Sequence, residues 1–356
     1  MHKSSSEQLN PQFRITGAFL LALGLLVSSG CFILDRFTHK EIVVPALLSP
    51  LAEANTTQLI AEVNRMAAVR SLRGKVDLEF QDNSFAASGI AEKYRAADGT
   101  VVLQRPGKVF LAIQAPFIAT DIAQMTSDGE HFRVAVLQGD EKYRRFVMGT
   151  NNATYKKLAV ETPLDGHADG AKKRTKTEQE TVSALSNLRP QHLTDALLIR
   201  PIGPQAGTVY AQSEFYEEEK DPSQKSTSKR VMRGYYFLDQ LELGEQGAAR
   251  LIRRFWFDRV AGIRLARLQT FDSTGKLVTD VTYGALKSFG EDARIQLPST
   301  IELTRPQDHY RLSLRYQAPE AAVLDRDYPA ETFLLENKWQ LPEYDLDKPK
   351  SATVKQ

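Results

Sequence analysis

One cysteine in 356 residues leaves no partner for an internal disulfide and no thiolate cage for a metal. Histidine is nearly as sparse. The six (His2, His39, His131, His167, His192, His309) are scattered, and none falls in an H-E-x-x-H spacing. There is no G-x-S-x-G nucleophile elbow, no dinucleotide glycine fingerprint and no phosphate loop. Gly275-Lys276 lacks the upstream glycine and the following Ser or Thr that such a loop needs. Nor does one sign of charge dominate: 46 basic and 44 acidic residues leave a net charge of +2, so no overall field draws in nucleic acid. Together these absences argue against an enzyme, a metal site or a cofactor. His131 beside Asp128 and Glu130 is the nearest approach to an acid/base cluster, and a turn entering a strand carries such residues for solvation.

What the chain does have is core material and a distinctive N-terminus. With 42% hydrophobic and 25% charged side chains it can bury a substantial interior. Lys3 and Arg14 precede the apolar run Ile15–Val27, and Ser28, Ser29 and Gly30 lead into Cys31. This is the layout of an export signal. It resembles a bacterial lipobox, although Ser28 stands where that motif usually has Leu. The resemblance implies that residues 1–30 are a signal peptide and that the Cys31 thiol carries a diacylglyceryl group. Two or more acyl chains anchor a protein stably where one does so only marginally. Ile15–Leu34 is also an uncharged stretch of twenty residues, long enough to span a bilayer uncleaved, so an inner-membrane helix stays open as an alternative. So does ordinary cleavage. Each places the body of the protein outside the cytoplasm. Phe32, rather than Asp, follows the cysteine, which by the same resemblance implies an outer-membrane lipoprotein facing the periplasm.

Residues 31–54 read as anchor and tether, with Pro45 and Pro50 and no apolar period. A helix is predicted from about Thr57 to Val69, with Leu59, Ile60, Val63, Met66 and Ala67 on one face and Asn55 or Thr56 as cap. The period then switches to two at Val76, Leu78 and Phe80. Beyond that the chain reads as an antiparallel meander. Strands are expected over residues 85–96, 108–114, 118–126, 131–136 and 142–148, then 209–215, 231–241, 250–257, 263–271, 276–286, 299–304 and 310–316. The turns include Asp98-Gly99, Arg105-Pro106-Gly107, Asp128-Gly129, Ala261-Gly262 and Asp272-Ser273-Thr274-Gly275. Two polar stretches, 162–186 and 217–230, read as inserted loops, the second containing Glu217, Glu218 and Glu219. Between them a short helix carries Pro190 in its first turn and Leu193, Ala196 and Leu197 on one face. Residues 321–356 form a C-terminal extension.

The order of these elements resembles a known family. A helix, then LRGKVDLEF (72–80), RPGK (105–108), SDG (127–129), FDRVAGIRLARLQTFDSTGKLVTDVTYG (257–284) and LPSTIEL (297–303) are similar to the lipoprotein carriers and receptors of the LolA and LolB type. The resemblance covers roughly Thr57 to Tyr316. It implies a mainly β fold over residues 55–320, a curved antiparallel sheet or incomplete barrel with a few helices over its concave face, and an apolar cavity for acyl chains. This chain is longer than that family, with two polar insertions and an apparent anchor that the soluble carrier lacks and the receptor has. On this reading Leu59, Val63, Met66, Leu193 and Leu197 are the cavity or lid candidates. The expected partners are the membrane and acyl chains or lipoproteins. A docking module that binds other envelope proteins through an edge strand or an apolar patch shares every one of these features.

Overall fold

In the computed structural model, residues 44–82, 92–93, 97–114, 120–138, 141, 144–151, 153, 155, 190–221, 229–244 and 247–348 are described. Cys31, the expected signal peptide and the 162–186 insertion lie outside them. The chain divides into two units, residues 1–46 with 220–231 and residues 47–219 with 232–356. In the first, the Asp221 N–H donates to the Lys229 carbonyl at 3.0 Å, and Lys229 Nζ stands 3.9 Å from Asp221 Oδ2.

The first helix, α1 (Thr56–Ala67), starts where it does because Asn55 and Gln58 close a capping box. Asn55 Oδ1 accepts from the Gln58 N–H at 3.0 Å, and Gln58 Oε1 accepts from the Asn55 N–H at 2.9 Å. The expected apolar spacing then buries Leu59, Val63, Met66 and Ala67. The second helix, α2, is Pro190–Leu197, with proline at its first position.

The strands are β1 (Ser71–Asp82), β2 (Ala97–Gln104), β3 (Lys108–Gln114), β4 (Asp121–Asp128), β5 (His131–Val136), β6 (Arg145–Thr150), β7 (Thr208–Lys220), β8 (Arg230–Leu243), β9 (Ala249–Asp258), β10 (Arg264–Phe271), β11 (Leu277–Tyr283), β12 (Leu286–Phe289), β13 (Ile295–Pro298), β14 (Thr300–Arg305), β15 (Tyr310–Tyr316) and β16 (Glu343–Asp345). β12 and β13 form a separate hairpin, which the sequence patterning did not reveal. The rest make one sheet in the order β7-β8-β9-β10-β11-β14-β15-β1-β2-β3-β4-β5-β6-β16. With three two-residue strands it has 17 strands among the described residues. Among the described residues it is not closed into a barrel.

The fold is mainly β, as expected, and two local expectations are corrected. The sheet is largely antiparallel, with β16 pairing parallel with β6. It arrives by a long crossing segment and not by a hairpin, and only the latter enforces antiparallel pairing. Asp98-Gly99 is not a turn but lies inside β2, with Gly99 opposite Val76 and Ile113. A Cβ there would stand 2.9 Å from Leu78 Cδ1 and 3.0 Å from the Ala112 carbonyl oxygen, so the glycine permits close approach. Glu217, Glu218 and Glu219 belong to β7 rather than to a loop. As the terminal strand of the sheet, β7 has water within reach of its charges.

Alternation gives the sheet two unlike faces. On the inner face, directly paired residues form the row Leu238, Phe255, Leu268, Val281, Leu303 and Leu312, continuing to Phe80. The first six are 5% exposed or less. Both helices pack on this face in one apolar cluster that runs from β8 to β6.

The outer face divides into two parts. Over the β2–β6 half lies the C-terminal segment. Its Phe333 is fully buried, with Lys108 Nζ 5.7 Å from the ring centroid, and its Leu335 and Leu341 pack on Ala135 and Phe146. Over β8–β10 arginines close the surface. Arg254 lies above Phe237 and grips Asp239 with two 2.7 Å bonds, while Arg267 lies above Trp256 and grips Asp280. Such stacked, forked contacts suit guanidinium over ammonium.

Candidate functional site

The candidate site is the inner face together with the two helices that cover it. Leu59, Val63 and Met66 of α1 and Leu193 of α2 are 7% exposed or less, and Leu197 is partly buried against the same cluster. The structure therefore gathers all five sequence-selected residues into one apolar assembly. Burying each large side chain contributes roughly 1.5–3 kcal/mol.

Polar groups hold the helices at a few named points. Gln212 of β7 anchors the start of α1: its Nε2 donates to the Ala54 carbonyl at 2.8 Å, and its Oε1 accepts from the Thr56 hydroxyl at 3.0 Å. In mid-helix, the Asn64 carboxamide pairs with the backbone of Ile202. Nδ2 donates to the Ile202 carbonyl at 2.7 Å and Oδ1 accepts from its N–H at 2.8 Å. The segment that follows α2 is thereby bound to α1. Over the sheet, the buried Tyr283 hydroxyl donates to the Ala196 carbonyl at 3.1 Å, and His192 Nδ1 stands 2.7 Å from the Tyr310 hydroxyl.

Arg105 ties the two helix ends together. It sits in the turn between β2 and β3, where its own N–H donates to the Arg70 carbonyl at 2.9 Å. Its guanidinium donates from Nε to the Val69 carbonyl at 2.9 Å, just past α1, and from Nη2 to the Ile199 carbonyl at 2.8 Å, just past α2. Nη1 makes a longer contact, 3.4 Å, with the Leu198 carbonyl. Carbonyls past a helix C-terminus lack intrahelical donors and carry partial negative charge, so a cation satisfies both needs at once. Burial, and then the nearby charge of Arg200, draw the guanidinium below its ordinary pKa. Arginine is basic enough to stay charged regardless. The sequence flagged Arg105 only as part of a turn. Its acceptors are main-chain atoms up to 94 positions away, which no side-chain motif announces.

Among the described residues no three His, Cys, Asp or Glu side chains are grouped to hold a metal ion. Nor is any helix there long and apolar enough to cross a membrane.

No family model and no curated protein matches the chain. Solved structures with a similar arrangement include a DUF1329 family protein from Desulfovibrio piger. It is 10% identical with a TM-score of 0.38, covering 78% of this chain and 95% of that one. A LolA superfamily protein from Nitrosomonas europaea is 13% identical with a TM-score of 0.35, covering 79% and 99%. A Vibrio parahaemolyticus domain assigned to outer-membrane lipoprotein sorting is 13% identical with a TM-score of 0.36, covering 78% and 97%. Likenesses this distant carry no argument about its activity.

Proposed function

We propose that the chain is a membrane-anchored, non-catalytic envelope protein that binds or sorts lipids or lipoproteins on the inner face of its sheet. Cys31 would supply the anchor, and the outer membrane, facing the periplasm, would be its place. One observation carries the reading: both helices over the apolar face end on a single side chain, Arg105. A cover whose two helix ends share one side chain, besides the separate contacts of Gln212, Asn64, Tyr283 and His192, can lift as a unit and expose the apolar rows beneath, while the sheet's own ladder stays intact. Transfer of an acyl chain would then exchange burial in the protein for burial in a bilayer. At about 0.8 kcal/mol per methylene on either side, the exchange runs near balance and needs no chemical energy from this chain.

The test is to purify the full-length chain from membranes, extract it and identify copurifying acyl chains by mass spectrometry. The expected result is a reproducible stoichiometric lipid, depleted in the Arg105→Leu variant. Repeated absence of any lipid from both proteins rejects the reading.

A docking module is the second reading. In its favour, Val209, Phe215 and Tyr216 are exposed on the terminal strand β7.

A further inference from the structure

The inner face is not apolar to its end. One step toward the turns 272–276 and 306–309, the next same-face row consists of polar side chains. Gln240 pairs with Arg253, Arg253 with Thr270, and Thr270 with Thr279. Arg305 then donates from Nη1 to Thr279 Oγ1 at 2.7 Å, and it pairs with Tyr310 in the next strand. Gln240, Thr279 and Tyr310 are only 5–7% exposed. A buried polar row costs free energy unless its groups find partners, and most of these have them. Arg253 is the exception in its charge. Its Nε donates to Gln240 Oε1 at 2.7 Å, but among the described residues its guanidinium meets no carboxylate. Asp195, the acidic group acting on it, is taken by Arg200 through bonds of 3.0 and 2.8 Å. Desolvation, with Arg200 beside it, lowers the basicity of Arg253, while Tyr210 and Asp195 oppose that only in part.

We propose that Arg253, supported by Arg200, receives the anionic headgroup of an amphiphile, a carboxylate or a phosphate, whose acyl chain lies along the adjoining apolar row. This rests on the lipid-binding reading and narrows its ligand class. The spatial order makes the argument. An acyl chain on the row from Leu238 to Leu312 has its polar end two residues, in the strand direction, from a partly buried cation with forked donors to spare. Guanidinium suits both oxyanions, since it binds either through two parallel N–H···O bonds. A neutral glycerol or alcohol would leave the charge of Arg253 unanswered.

The experiment uses the full-length chain in a non-ionic amphipol. It is offered two matched pairs, oleate with oleyl alcohol and oleoyl lysophosphatidate with monooleoylglycerol, and bound ligand is quantified by mass spectrometry. The expected result is at least a tenfold preference for the charged member of one pair or both, and the arm that responds identifies carboxylate or phosphate. Arg253→Gln should reduce that preference to below threefold, with its circular dichroism spectrum and thermal melt reporting that the variant is folded. Arg253→Lys, retaining the charge, should keep part of it. Equal binding of charged and neutral ligands, or a preference that survives Arg253→Gln, overturns the inference and leaves the lipid-binding reading standing. If neither pair binds, both are overturned.

Discussion

Arg105 Nη2 and the carbonyl oxygen of Ile199 meet at 2.8 Å across 94 positions of sequence, and this contact joins the turn after β2 to the end of α2. Charge-assisted bonds contribute about 1.5–3 kcal/mol each, without adding fully when they share one donor group. Arg105→Leu is therefore expected to cost roughly 3 kcal/mol locally. Hydrogen exchange should quicken at residues 63–70 and 196–202 by tenfold or more, while amides of β9–β11 change much less. Uniform loss of protection across sheet and helices would show that Arg105 supports the whole fold and does not serve the cover alone.

Asp272 gives a pH signature. Its Oδ1 accepts from the Thr274 N–H at 2.8 Å, the Thr274 hydroxyl at 2.7 Å and the Lys276 N–H at 3.0 Å. These bonds, the Thr274 hydroxyl first, lower its pKa from 3.8 to about 2. With the folded value depressed, the stabilisation is complete above the unfolded pKa and disappears as pH falls from about 4 through about 2. A carboxyl-carbon NMR titration should place the midpoint near 2, and Asp272→Asn should lose stability at neutral pH while flattening the acid limb. A midpoint near 4 would mean that the turn is open in solution.

Phe333 tests the C-terminal segment. It is fully buried and spans from that segment to β3, with Lys108 above it. Phe333→Ala should cost about 3–5 kcal/mol, the range for emptying a large aromatic site. Limited proteolysis should cut first between 326 and 346, ahead of the sheet. Cleavage rates matching the parent chain would place the segment's attachment elsewhere.

Much of this fold could be read directly from the residues. Leu59, Val63 and Met66 marked α1 by their spacing, Asn55 or Thr56 marked its start, and Pro190 marked the beginning of α2, because these signals are local. What escaped was non-local. Gly99 reads as a turn residue until Leu78 and Ala112 are placed against it. Glu217–Glu219 read as loop because charge implies solvation, and a terminal strand supplies that solvation too. Arg253 and Thr270 lie far apart in the chain and become neighbours only once register is known. The role of Arg105 was hidden for a related reason, since main-chain acceptors leave no imprint on side-chain identity.

The two ends of the sheet are finished differently. Beside β6 lies only the three-residue β16, running parallel, whereas β7 offers thirteen residues and pairs on one side with β8 alone among the described residues. The short strand blunts one border of the sheet, and β7 is the longer border left for another strand to meet.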